Sequence, residues 1–154
     1  MSPNISASSV GLPLTIFYDG SCRLCASEVA NLAARAPKGQ ILLVDCSAAD
    51  FDDEALPLSR RQLMGFIHAR DTHGRWLSGV DVFVAAYRAA GMAWVARILA
   101  HPRLKPLWDR CYPWVVRHRQ HLSMLGAHRV LRFLAHRAAR APAARTCASG
   151  RCGA

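Results

Sequence analysis

The spacing of apolar residues changes from segment to segment, and each spacing implies an element. Residues 12–18 are a nearly unbroken apolar and aromatic run, the pattern of a short buried strand. Asp19-Gly20 is a turn signal. From Ser21, placed to cap a helix, apolar positions recur at helical spacing to about Ala36, where Pro37-Lys38-Gly39 stops the pattern. Residues 41–45 make a second apolar run. A crossover helix joins it to the first, so the two strands should lie parallel. Four acids within residues 48–54 mark a solvated connection, and residues 58–64 fit a short helix. Residues 65–70 and 75–77 predict two strands joined by an Asp71-Thr72-His73-Gly74 hairpin, with His73 at its tip. Gly79 opens a helix to about Ala90, and helices over 93–100, 106–120 and 122–139 follow.

The resulting order, β-α-β-α-β-β-α, is that of a thioredoxin-like α/β domain with a basic helical C-terminal extension. The expected organisation is a flexible lead over 1–11, the core over 12–91, the extension over 92–139 and a mobile tail over 140–154. With 154 residues, 52% hydrophobic and 19% charged, the chain can bury one substantial core. Residues 1–10 are polar and lack the basic start and apolar core of a secretory leader. The most apolar long stretch, 80–100, carries Asp81, Arg88 and Arg97, which argues against a membrane span. A cytoplasmic location is therefore expected. There, six cysteines suggest redox chemistry or metal binding rather than a disulfide framework.

The net charge of +10 sits entirely in the rear of the chain. Residues 1–100 balance nine Lys and Arg against nine acids, whereas 101–154 hold eleven Lys and Arg and the single acid Asp109. Such a half can attract phosphate backbones, acidic proteins or anionic lipid, or it can simply be a solvated helical surface. On the helix expected over 122–139, His128, Arg132 and His136 fall on one stripe that Arg140 continues, with Leu125, Val130, Leu131 and Leu134 mostly elsewhere. That amphipathic basic helix could dock on an anionic partner or pack on the domain.

The chemistry centres on Cys22 and Cys25. A strand enters the pair and a helix leaves it, so Cys22 falls at a helix N-terminus, where unpaired N–H groups and the helix dipole favour a thiolate. Cys25 lies one turn on, placed to attack a mixed disulfide formed at Cys22. The rival reading is half of a zinc site, completed by Cys147 and Cys152. Those two are otherwise a candidate second dithiol or an inert part of the tail. Asp19 either braces the Asp-Gly turn or accepts a proton as Cys25 is activated. Arg23, between the sulfurs, could favour a thiolate. Cys46 and Cys111 read as buried packing residues, and residues 82–87 with Trp94 as core. His118 and His121 are flanked by Arg117 and Arg119, which repel a cation, and read as surface residues.

Tyr18-Asp19-Gly20-Ser21-Cys22-Arg23-Leu24-Cys25 resembles the YDGxCxxC signature of the DCC family of predicted thiol-disulfide oxidoreductases. Gly74, Gly79, Asp81 and Phe83 are similar to that family's second block, and Tyr112-Pro113-Trp114 with Arg117 and Arg119 to its late aromatic–basic helix. The likeness covers roughly residues 14–119. It implies a thioredoxin-like fold, Cys22 and Cys25 as the redox pair, and Asp19 and Gly20 as their turn, supported by Tyr18, Ser21 and Arg23. On the exchange reading no bound cofactor is required and no metal is expected. A protein or small-molecule thiol or disulfide would be the substrate, with an external reductant. One departure from the wider thioredoxin class is visible: Met64-Gly65 stands where a cis-proline usually precedes the third strand, and the nearest proline upstream is Pro57.

Overall fold

The computed structural model describes residues 10–124. In chain order they form β1 (Leu14–Tyr18), α1 (Arg23–Arg35), β2 (Ile41–Asp45), α2 (Arg60–Gly65), β3 (His68–Arg70) and β4 (Trp76–Ser78). Three helices follow: α3 (Val80–Ala89), α4 (Ala93–Leu99) and α5 (Lys105–Met124). The four strands form one mixed sheet in the order β2-β1-β3-β4. β2 runs parallel to β1, while β3 is antiparallel to both β1 and β4. This is the thioredoxin-like arrangement.

Alternation along β1 builds the two layers. Leu14 and Ile16 point to one face, where Val29 and Leu32 of α1 and Val82, Ala85 and Ala86 of α3 cover them. Phe17 points to the other face and packs with Cys46 and with Leu63 of α2. A third cluster, Val80, Val84 and Ala96, joins α3 to α4 and receives Trp108 and Tyr112 from α5. The described part of the extension, α4 and α5, therefore lies against the domain and shares its apolar interior.

Several local expectations move. Cys22, not Ser21, is the N-cap of α1. Ser59 caps α2 in a reciprocal box with Gln62, so that helix starts later than the apolar pattern suggests. Gly65 closes α2 and Phe66 caps it, which shortens β3 to three residues. The expected break at His121 is absent: α5 continues to Met124 with Pro113 inside it. Nothing at His121 stops a helix, so the boundary had no physical basis. Trp94 is 52% exposed, because short α4 turns Ala96 inward instead. Cys111 is likewise exposed rather than packed away, whereas Cys46 is fully buried. The proposed His128–Arg140 stripe, the rest of the last helix, Cys147, Cys152 and residues 1–9 lie outside the described residues.

Candidate active site

Parallel pairing sets Tyr18 at the end of β1 beside Asp45 at the end of β2, so the chain leaves both strands at the same edge. Gly20 donates its N–H to Asp45 Oδ1 at 2.9 Å. A Cβ at Gly20 would stand 2.0 Å from Asp45 Oδ2, so only glycine allows this approach. Asp45 is pinned in turn by the Ser47 hydroxyl (2.6 Å) and N–H (2.8 Å). Those bonds, the hydroxyl's first, hold its carboxyl below the usual range against the opposing effect of burial.

Asp19 is 5% exposed and organises the next three residues. Its Oδ1 accepts the Ser21 N–H at 3.0 Å and the Ser21 hydroxyl, and its carbonyl accepts the Cys22 N–H at 3.2 Å. Ser21 thus serves the turn, and Cys22 takes the capping position: Cys22 Sγ accepts the Cys25 N–H at 3.4 Å. The Asp19 Oδ2 receives the guanidinium of Arg119 at 2.8 Å, across a hundred residues of chain. This ion pair ties α5 to the cysteine turn.

The two sulfurs are 2.8 Å apart, with the Cys25 thiol donating to Cys22 Sγ. That bond is the main reason the Cys22 thiol is lowered to about 6; burial opposes it, while the Cys25 N–H and the Arg119 charge assist. Cys25 is pushed up strongly, first by the same bond and then by burial and the charge on Cys22. The guanidinium that favours the thiolate is that of Arg119; Arg23 is exposed. Cys22 is only 4% exposed, and Cys25 is the more open of the two. Cys46 stands apart as a packing residue, its thiol raised to about 11 by burial.

Cys25 and Asp19 border a cavity of about 390 Å³ between α1, α3 and α5. Tyr112 lines it, its hydroxyl accepting the Ile67 N–H at 3.3 Å and its acidity weakened by burial, with a pKa of about 12. Among the described residues, no group of three or more His, Cys, Asp or Glu side chains is gathered closely enough to hold a metal ion. Nor is any helix there long and apolar enough to cross a membrane. His118 stacks on Trp114 at 4.6 Å, and its Nδ1 lies 2.9 Å from the Trp114 carbonyl; His121 is exposed.

The cysteine pair and its turn were legible in the sequence; Asp45, Tyr112 and Arg119 were not assigned to the site. Asp45 could have been found from the parallel pairing of two strands that end together. Tyr112 needed the fold, and Arg119 could have been reached only through its place on one stripe of its helix.

An uncharacterized chloroplastic protein of Arabidopsis thaliana is 36% identical over 101 residues, covering 64% of this chain. The matched region is 47% of that protein, so the chain spans about half the length of this relative. No solved structure matches. The profile of the DCC1-like thiol-disulfide oxidoreductase family matches residues 16–125, from β1 to the end of α5 and including both cysteines, and the chain belongs to that family.

Proposed function

We propose that the chain catalyses thiol-disulfide exchange, with Cys22 attacking and Cys25 resolving. The supporting observation is the sulfur pair at the N-cap of α1, 2.8 Å apart and asymmetric in acidity. Charge and access favour different sulfurs: Cys22 holds the thiolate, while Cys25 faces the cavity. Reactivity follows the thiolate, so Cys22 is the nucleophile and the incoming disulfide reaches it past Cys25. The mixed disulfide removes the negative charge and accepted bond that keep Cys25 protonated, which frees Cys25 to ionise and close the ring. Asp19 is a positioning residue that holds the turn and Arg119; an external thiol donor restores the reduced pair.

Trapping with 2-hydroxyethyl disulfide, read by mass spectrometry of the separate peptides that carry Cys22 and Cys25, tests the assignment. Cys25→Ser should accumulate a stable mixed disulfide at Cys22, and Cys22→Ser should accumulate none at Cys25. The reverse pattern would exchange the two roles, and no adduct in either variant would end the redox reading.

A further inference from the structure

The cavity beside the dithiol has a size and lining that bear on what is reduced there. Its volume of about 390 Å³ falls in the range of roughly 300–1,000 Å³ found for small-molecule sites. Val29, Leu63, Ile67, Phe83, Leu99 and Val116 are among its walls. The charged groups at its edge are already engaged: Asp19 pairs with Arg119, and the Glu28 carboxylate accepts the Tyr87 hydroxyl. A ligand rich in amides would bury polar groups for which these walls supply few partners, and each group left unpaired would weaken binding.

The segment just before β3 adds an independent constraint. An extended peptide held beside a sheet needs free main-chain donors and acceptors to pair with. Here the Phe66 N–H binds the Gln62 carbonyl (3.2 Å), and the Phe66 carbonyl lies 2.9 Å from His68 Nδ1. The Ile67 N–H donates to the Tyr112 hydroxyl at 3.3 Å, and the Ile67 carbonyl accepts the Gly79 N–H at 3.0 Å. Both residues spend their backbone groups inside the protein, one of them on α5.

We propose that the substrate is a low-molecular-weight disulfide with an uncharged apolar body, which fills the cavity between α1, α3 and α5 while its sulfurs meet the cysteine pair. This rests on the exchange reading above and adds the substrate class. The Cys22 thiolate attacks one sulfur of R–S–S–R, forming Cys22–S–S–R and releasing R–S⁻. The Cys25 sulfur then attacks Cys22 Sγ and breaks its bond to the second R–S group, forming the Cys22–Cys25 bond and releasing R–SH with the Cys25 proton. Two electrons pass from the dithiol to the substrate, and no other reactant is needed for a single turnover.

The test is a single-turnover series on the reduced full chain with 2-hydroxyethyl, dipropyl, dibutyl and dipentyl disulfides, and with a cysteine-bridged polar peptide. The first two are close in shape and differ in a terminal hydroxyl against a methyl. A free alkyl thiolate serves as reference, because it reacts with the dialkyl members at similar rates. The second-order rate constant, relative to that reference, should rise about fourfold for each methylene buried until the cavity is full. Val116→Phe on α5 and Val95→Phe on α4, both at the cavity wall, should each flatten the series at the longer chains, so one misfolded variant leaves the other informative. Rates independent of chain length, or a peptide faster than every dialkyl disulfide, would overturn the proposal while leaving the exchange reading intact. Failure of every probe to produce a Cys22–Cys25 bond would overturn both.

Discussion

The acidity of Cys22 supports the sharpest test, because its causes are ordered and come from different parts of the chain. The thiol is held at about 6 against 9.0 for an unperturbed thiol, a difference worth about 4 kcal/mol between the two protonation states. At pH 7 about nine-tenths of Cys22 is then thiolate, against about one-hundredth for an unperturbed thiol. The gain in rate is smaller, since nucleophilicity falls with basicity along a Brønsted slope of about 0.4–0.5, which removes roughly twentyfold. The net advantage is about fourfold at pH 7 and about twentyfold at pH 6. The advantage is therefore larger in mildly acidic than in neutral solution.

Differential alkylation across pH, read peptide by peptide, measures this directly, and trypsin cleavage after Arg23 separates the two sulfurs. The rate for Cys22 should show a midpoint near 6. Cys25→Ala, which removes the leading cause, should move the midpoint up furthest. Arg119→Met should move it up less, since its charge acts behind both bonds from Cys25. Asp19→Asn should move it down, because the carboxylate opposes the thiolate and its loss leaves the guanidinium uncompensated. A wild-type midpoint above 8, or an Arg119→Met shift larger than that of Cys25→Ala, would refute this account.

Three further expectations concern the framework. Asp71 is 5% exposed. Burial would raise its carboxyl, but bonds from the Arg75 backbone and side chain, Gly11 and His73 prevail and hold it at about 2. Its folded pKa lies below its unfolded one, so its contribution of about 2 kcal/mol is present above pH 4 and fades as pH falls through 2. Urea titrations of Asp71→Asn should therefore show a deficit of that size at pH 7 that narrows below pH 4; a deficit constant with pH would contradict the assignment. Gly20→Ala places a methyl against a pinned carboxylate and should cost about 1–3 kcal/mol in thermal or urea unfolding, with the Cys22 midpoint drifting toward that of an ordinary thiol. Tyr112→Phe leaves the Ile67 N–H without its acceptor and should cost about 1 kcal/mol. Faster hydrogen exchange confined to the segment before β3 would locate the loss.

What could be read from the sequence follows the range of the interactions. The strand, turn and helix around the cysteines are specified within about twenty residues, by an unbroken apolar run, an Asp-Gly pair and helical spacing, and all three elements are present. The capping residue was misplaced because Ser21 and Cys22 both stand where a cap can form; the choice depends on Asp19, which holds the Ser21 hydroxyl. Trp94 and Cys111 were misjudged because apolar character says what a residue prefers, not which side of a short or marginal helix finds a partner. Arg119 shows where a local reading could have reached further. It stands seven residues after Tyr112 and three after Val116, and therefore on the inward stripe of α5. A cation on that stripe needs a buried acid. The front of the chain supplies one at Asp19, beside the only Cys-x-x-Cys pair. The charge pattern that made the rear half look like a separate basic surface thus also contained the contact that completes the cysteine site. Through Arg119, the docking of α5 on the core also adds to the acidity that Cys25 chiefly confers on Cys22.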